Sequence, residues 1–218
     1  RCKMYLKHQI IKWATHSNFI ADSLIINRIY PEQLNPMHNG MNCMSQNKER
    51  SFVASATTHH GNLHLPKLTY GRTVRIKKPD YDVWSFEANM DVSNYLCVLK
   101  GAPQKINFYF YCIEDYYSIY LLTNDVYHRQ ALSNEDKDFI AAFAPNNEQT
   151  TYNLLDGQGR IITPEQFNSH TPTVRIQTRG GKTLSVRGNT KVGGLVCTES
   201  PRAKPLDFTL NIVSRGAA

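Results

Sequence analysis

Four groups of residues in this 218-residue chain carry side chains that could do chemistry. The first is Thr57-Thr58-His59-His60-Gly61-Asn62-Leu63-His64, with His38 and Cys43 upstream. A structural zinc site needs four ligands at recognisable spacing, and a catalytic one needs three plus water. His60 and His64 are four apart, but Gly61 works against the helix that would bring them to one face, and no Glu lies between them as a general base. The stretch reads as a polar loop with incidental histidines, so no metal and no cofactor are expected. The second group pairs Cys43 with His59 or His60, oriented by Asn42 or Asn62, as thiol nucleophile and base. Spacing does not bring these groups together, and a small Cys/His hydrolase centred on Cys43 stands only as an alternative to a non-enzymatic reading.

The third group is cationic: Arg175, Arg179, Lys182, Arg187 and Lys191. If Val174, Ile176, Leu184 and Val186 all face a core, Ile176 lies across from Val186 in a hairpin whose loop is Gly180 to Lys182. Arg175 then faces Arg187, and like charges at cross-strand positions destabilise unless something negative sits between them. Glu199, Asp207, the acidic middle of the chain, or a ligand phosphate, sulfate or carboxylate would serve. The fourth group is aromatic. In Phe108-Tyr109-Phe110-Tyr111 the two phenylalanines point inward and Tyr109 and Tyr111 outward, as a platform for a sugar or a protein, or as a seat for helices.

The elements that must position these groups follow from periodicity. Leu6, Ile10 and Trp13 form an apolar stripe at helical spacing, and Phe19-Ile20, Leu24-Ile25 and Ile29 form a second one closed by Pro31. Residues 31–71 lack a clear period, apart from a short strand near Ser51 to Ala54. From Thr73 onward alternation and β-branched or aromatic runs take over, which is strand chemistry. Hydrophobic residues make up 41% and charged residues 20%, with no apolar run of the roughly 18 residues a membrane helix needs. The expected organisation is a helical and irregular arm over 1–71, packed on a β domain over 72–218.

That β domain contains a recurrence. Thr73-Val74-Arg75-Ile76 returns as Thr173-Val174-Arg175-Ile176, and at the same offset Tyr95 meets Leu195, Cys97 meets Cys197, Phe108 meets Phe208 and Cys112 meets Ile212. A middle unit aligns between them, placing Ala141 in the column of Cys97 and Cys197. Three units of about 41 residues, each reading as four strands, are the signature of a repeat architecture. On these residues the segment 73–213 resembles the β-trefoil superfamily, which includes ricin-type lectin domains, fascin, fibroblast growth factors and interleukin-1 cytokines. The resemblance implies a mainly β fold, a β-trefoil with an N-terminal extension, and a recognition function. The Gln-x-Trp signature of ricin-type lectins is absent. The cysteine columns are expected to face the core as reduced thiols, which points to an intracellular compartment, own or host, or to leaderless export.

The net charge of +7 divides unevenly. Residues 1–71 carry 8 Lys plus Arg against 3 acidic residues, 72–115 carry 6 and 6, 116–172 carry 3 and 7, and 173–218 carry 8 and 2. The leading expectation is a binding module that recognises a protein receptor or an anionic ligand through the basic last unit, at Arg175, Arg179, Lys182, Arg187 and Lys191. A carbohydrate-binding trefoil using Tyr109 and Tyr111, a lectin-like subunit of a toxin or effector whose binding would persist in high salt, is the alternative. Nucleic acid is not favoured, because exposed aromatics are not interleaved with these cations. Oligomeric state is left open.

Overall fold

The computed structural model describes residues 47–77, 89–103, 106–136, 138–191, 193–198 and 204–216, all within the unit His38–Ala218. The helical stripes of Leu6, Ile10 and Trp13 and of Phe19 to Ile29 lie outside these residues. Fifteen strands are present among them: β1 (Phe52–Thr58), β2 (Gly61–His64), β3 (Arg75–Lys77), β4 (Asn89–Asp91) and β5 (Cys97–Leu99) come first. A long hairpin follows, β6 (Asn107–Ile113) and β7 (Tyr116–Leu122), then β8 (Ala131–Asp136), β9 (Phe139–Phe143) and β10 (Tyr152–Leu155). The last strands are β11 (Thr173–Thr178), β12 (Ser185–Arg187), β13 (Gly194–Cys197), β14 (Lys204–Pro205) and β15 (Asp207–Arg215). One short helix, α1 (Pro66–Tyr70), follows β2 and ends at Gly71, whose φ of 67° is the left-handed conformation glycine adopts without strain.

The protein is mainly β, and its main sheet closes on itself. Antiparallel pairings run from β13 through β5, β2, β1, β15, β11, β10, β7, β8 and β9 and return to β13, a closed ten-strand barrel. β6 lies between β1 and β7 and pairs with both. The alternation of the strands explains the closure. β1 buries Phe52, Ala54, Ala56 and Thr58, β6 buries Phe108, Phe110 and Cys112, and β11 buries Val174, Ile176 and Thr178. These inward rows fill the barrel with Phe52 stacked on Phe110 at 4.5 Å between centroids, and with Tyr117 and Phe167 edge-on to Phe52 at 5.9 Å.

This arrangement corrects the expected β-trefoil over 73–213. β1 and β2 lie upstream of residue 73, inside the segment read as an irregular arm, and β1 is a barrel strand paired along its whole length with β15. The strand expected near Ser51 to Ala54 is therefore longer and central. The Thr73-Ile76 motif, matched with Thr173-Ile176, is outside the barrel: β3 pairs only with β4, in a separate two-stranded ribbon, whereas β11 is a barrel strand. A four-residue β pattern states that a segment is extended and which side is apolar, but not which strand it joins.

The ribbon covers a second, smaller apolar cluster of Val92, Cys97, Phe139, Leu195 and Cys197, against which Val74, Ile76, Met90 and Tyr95 pack. It is tied down through Val92 N–H to the Val74 carbonyl at 2.9 Å and Val74 N–H to Ser93 Oγ at 3.0 Å. At the β6–β7 turn, a helical turn at 47–50 is fastened to the barrel. Ser51 Oγ accepts from Cys112 N–H at 2.9 Å and donates to the Asn47 carbonyl at 2.8 Å, and Glu114 N–H donates to Asn47 Oδ1 at 3.0 Å.

Candidate functional site

The five predicted cations do not converge. The register of the β11–β12 hairpin is shifted by two residues from the expected one, with a loop of the same length: Gln177 faces Thr183, and Leu184 N–H bonds the Ile176 carbonyl, so Leu184 rather than Val186 lies across from Ile176. Its loop is residues 179–181, with Gly181 at a φ of 88° that a side chain would strain. Beyond Thr183 the chain leaves β11, and β12 pairs with β13 and β14, which sets Arg187 across from Leu195. Arg175 instead faces Asp207 and bonds its Oδ1 through Nε at 2.8 Å. The expected Arg175–Arg187 opposition is thus overturned, and Asp207 supplies the counter-charge.

The other cations are spread over different neighbours. Lys182 Nζ reaches Asp138 Oδ1 at 3.2 Å, an oxygen that also accepts from Thr198 Oγ1 at 3.1 Å. The Arg179 guanidinium lies 4.1 Å over the Tyr116 ring, a cation–π distance, and that of Arg187 lies 5.9 Å over Phe139. Lys191 is exposed, in a loop where its N–H bonds Asn189 Oδ1 at 2.9 Å.

Tyr109 and Tyr111 do point away from the barrel interior, and both are half-buried. Their rings are 6.0 Å apart, and Tyr109 is 6.4 Å from Tyr120 on the neighbouring strand. Gln149 Nε2 donates to Tyr120 Oη at 2.7 Å and to Ser118 Oγ at 2.9 Å. Burial pushes the Tyr109 phenol up to about 12. This surface is polar-edged and partly covered rather than an open aromatic plate.

The histidine loop separates in space. His59 and His60 form the β1–β2 turn with their rings 3.7 Å apart, whereas His64 is 3% exposed. Its Nδ1 lies 3.0 Å from Thr69 Oγ1 on α1, its Nε2 has no hydrogen-bond partner among the described residues, and burial lowers its pKa to about 4. No group of three or more His, Cys, Asp or Glu that could hold a metal is found among the described residues. His38, Asn42 and Cys43 lie outside them. Cys97, Cys112 and Cys197 are buried and unbridged. Desolvation raises Cys97 to about 12 and the other two to about 11, which disfavours the nucleophilic thiolate.

A feature the sequence reading passed over is the meeting of three turns. Lys100 N–H, after β5, donates to the Thr190 carbonyl between β12 and β13 at 3.1 Å. The β1–β2 turn abuts the same point: a Cβ on Gly61, at φ 141°, would lie 2.6 Å from the Leu99 carbonyl carbon and oxygen and 2.7 Å from Lys100 N. Asn62 Nδ2 donates to the Ala102 carbonyl at 2.6 Å. His59, Lys100 and Lys191 are all exposed around this junction. The available signal was a negative one, since no Asp or Glu occurs over residues 50–79, 92–113 or 166–198, the segments that supply the three turns.

Scans of this chain against protein-family models, curated proteins and solved structures find no match.

Proposed function

We propose that the protein is a non-enzymatic recognition module that binds an anionic partner on its outer surface, through cations of the β11–β13 region. The observation that carries this reading is the acid-free run 166–198. It contributes Arg175, Arg179, Lys182, Arg187 and Lys191, of which Arg175 and Lys182 meet carboxylates from other segments. Arg179 and Arg187 lie over aromatic rings, and a guanidinium held on a ring keeps its positive charge.

The filled barrel supports a surface site. Its interior holds a cavity of about 20 Å3, lined by residues such as Ala56, Leu96, Phe108, Tyr152, Ile176 and Phe208, which is room for about one water. The described thiols and His64 are buried in states that suit packing rather than proton or acyl transfer.

Fluorescence anisotropy with labelled polyglutamate over a range of salt tests the proposal. Binding that weakens steadily with ionic strength and falls in Arg187→Glu supports it. Carbohydrate recognition predicts the opposite pattern: binding on a glycan array that persists in high salt and is lost in Tyr109→Ala. Salt-insensitive binding of that kind would displace the anionic reading.

A further inference from the structure

We infer that the junction of the β1–β2, β5–β6 and β12–β13 turns is a docking surface for an acidic peptide segment of another protein, with Lys100 and Lys191 as its charged contacts and His59 at its rim. The inference rests on the surface-recognition reading above and moves its centre from the β11–β12 hairpin tip to this junction.

Three observations lead there. The first is charge. At the hairpin tip Lys182 is already met by Asp138, a residue of the acidic middle of the chain. The junction is built from three segments, 50–79, 92–113 and 166–198, none of which contains a carboxylate, so cations on these turns face no acid from the elements that form them. A positive surface whose own turns supply no carboxylate favours an anionic partner and orders it by long-range attraction before contact.

The second observation is rigidity. The Lys100–Thr190 backbone bond, the Gly61 contact on the Leu99–Lys100 backbone and the Asn62 amide on Ala102 join the three turns to one another. Thr58 Oγ1 stiffens the first of them by donating to the Gly61 carbonyl at 2.9 Å and accepting from His60 N–H at 3.2 Å. Turns held in this way present their cations with little backbone ordering cost at the moment of binding.

The third observation is the kind of side chain. Lysine is a point charge on a flexible stem, suited to a partner whose carboxylates or phosphates vary in position. Among the described residues the large exposed hydrophobic residues, Tyr70, Val126, Ile161 and Val213, belong to other parts of the chain, so the described positions of the turns offer no apolar side chain of that kind to insert into a lipid surface. Base stacking would rest on the His59–His60 pair alone, which is little for a single-stranded nucleic acid.

The test uses the full chain and three labelled probes of equal length: a glutamate peptide, a phosphoserine peptide and an oligouridine. Affinities are compared for wild type, the double variant Lys100→Glu/Lys191→Glu, Arg187→Glu, and Lys48→Glu, an exposed lysine at the β6–β7 end of the barrel. The altered lysines are exposed, and a thermal melt checks that each variant remains folded. Peptide affinity is expected to fall about tenfold or more in the double variant and by less than about twofold in Lys48→Glu. The ratio of the two peptide affinities shows whether carboxylates or phosphates are preferred. Equal losses in the double variant and Lys48→Glu would mean that only net charge matters, and would overturn the site. Peptide binding that survives in the double variant but not in Arg187→Glu would overturn the site and leave the recognition reading standing. Preference for oligouridine over both peptides would overturn the partner class, and absence of binding to all three would remove both proposals.

Discussion

The two apolar clusters are built from the same residue types and closed in different ways. The larger one, inside the barrel, is surrounded by hydrogen-bonded strands and filled by Phe52, Phe110, Tyr117, Tyr152 and Phe208. The smaller one lies on the other side of β5, β9 and β13 and is roofed by the β3–β4 ribbon, which pairs with no barrel strand. Two of the three described thiols are in the smaller cluster, and His64 faces one of them, Cys97, across the β2–β5 ladder. The difference teaches that two buried thiols, Cys97 and Cys197, are withheld from solvent by the less strongly closed of the two interiors, whereas Cys112 belongs to the barrel. Opening the ribbon would expose Cys97 and Cys197 without opening the barrel.

The largest expected effect comes from attacking the barrel interior. Phe110→Ala removes the ring stacked on Phe52 and should cost about 3–5 kcal/mol in denaturant unfolding. Hydrogen exchange should then speed up throughout the barrel strands. Faster exchange confined to the ribbon would show that the two clusters are not the independent units described above.

Acidification should act next, and on the smaller cluster. The folded pKa of His64, about 4, lies below its ordinary value of 6.5, so between these values the unfolded chain binds a proton that the folded chain does not. The contribution of neutral His64 is full above 6.5 and is lost as pH falls through that window, by roughly 3 kcal/mol at most. His64→Gln should flatten the dependence of the unfolding midpoint on pH over that range. An unchanged slope would assign the acid sensitivity to other groups.

Removing the sulfur of Cys197 as Cys197→Ala should cost only about 1 kcal/mol, a small hydrophobe lost from a small cluster. Ribbon amides should exchange faster while barrel amides hold. In the unaltered protein, raised thiol pKa values predict that Cys97, Cys112 and Cys197 resist alkylation near neutral pH until denaturant is added. Labelling of Cys97 and Cys197 ahead of Cys112 under mild denaturant would sharpen the contrast between the clusters. The smallest effect belongs to the surface: Asp207→Asn breaks a half-exposed ion pair with Arg175 and should shift stability by less than about 1 kcal/mol.

Alternation made much of this readable in advance. The inward rows Phe108, Phe110, Cys112 and Val174, Ile176 were legible because each strand has one buried face, and so was the outward direction of Tyr109 and Tyr111. The burial of Cys97 and Cys197 was expected from the repeat columns; both thiols are buried, but in the smaller cluster under the ribbon rather than in the barrel interior. Partner choice was not. Phe52 to Thr58 also alternates, but its Ala, Ser and Thr residues are weak apolar signals, and its partner β15 is distant in sequence. The hairpin register failed because Val186 and Leu184 are both apolar at even spacing, so either satisfies the pattern opposite Ile176. The expected opposition of Arg175 and Arg187 failed for a related reason, since Asp207 and Asp138, which meet Arg175 and Lys182, arrive from other segments.

The pairing of β1 with β15 has a consequence for how the chain acquires its structure. The barrel seam joins residues 52–58 to residues 208–215, so although β1 can pair early with β2 and β6, nearly the whole described length must be synthesised before it meets β15 along its other edge. During that interval the β6–β7 hairpin can form locally, while Phe52 and its neighbours wait with an unsatisfied edge. Folding dominated by such distant contacts is slow, and a nascent chain stalled short of residue 208 is the form most exposed to misassociation.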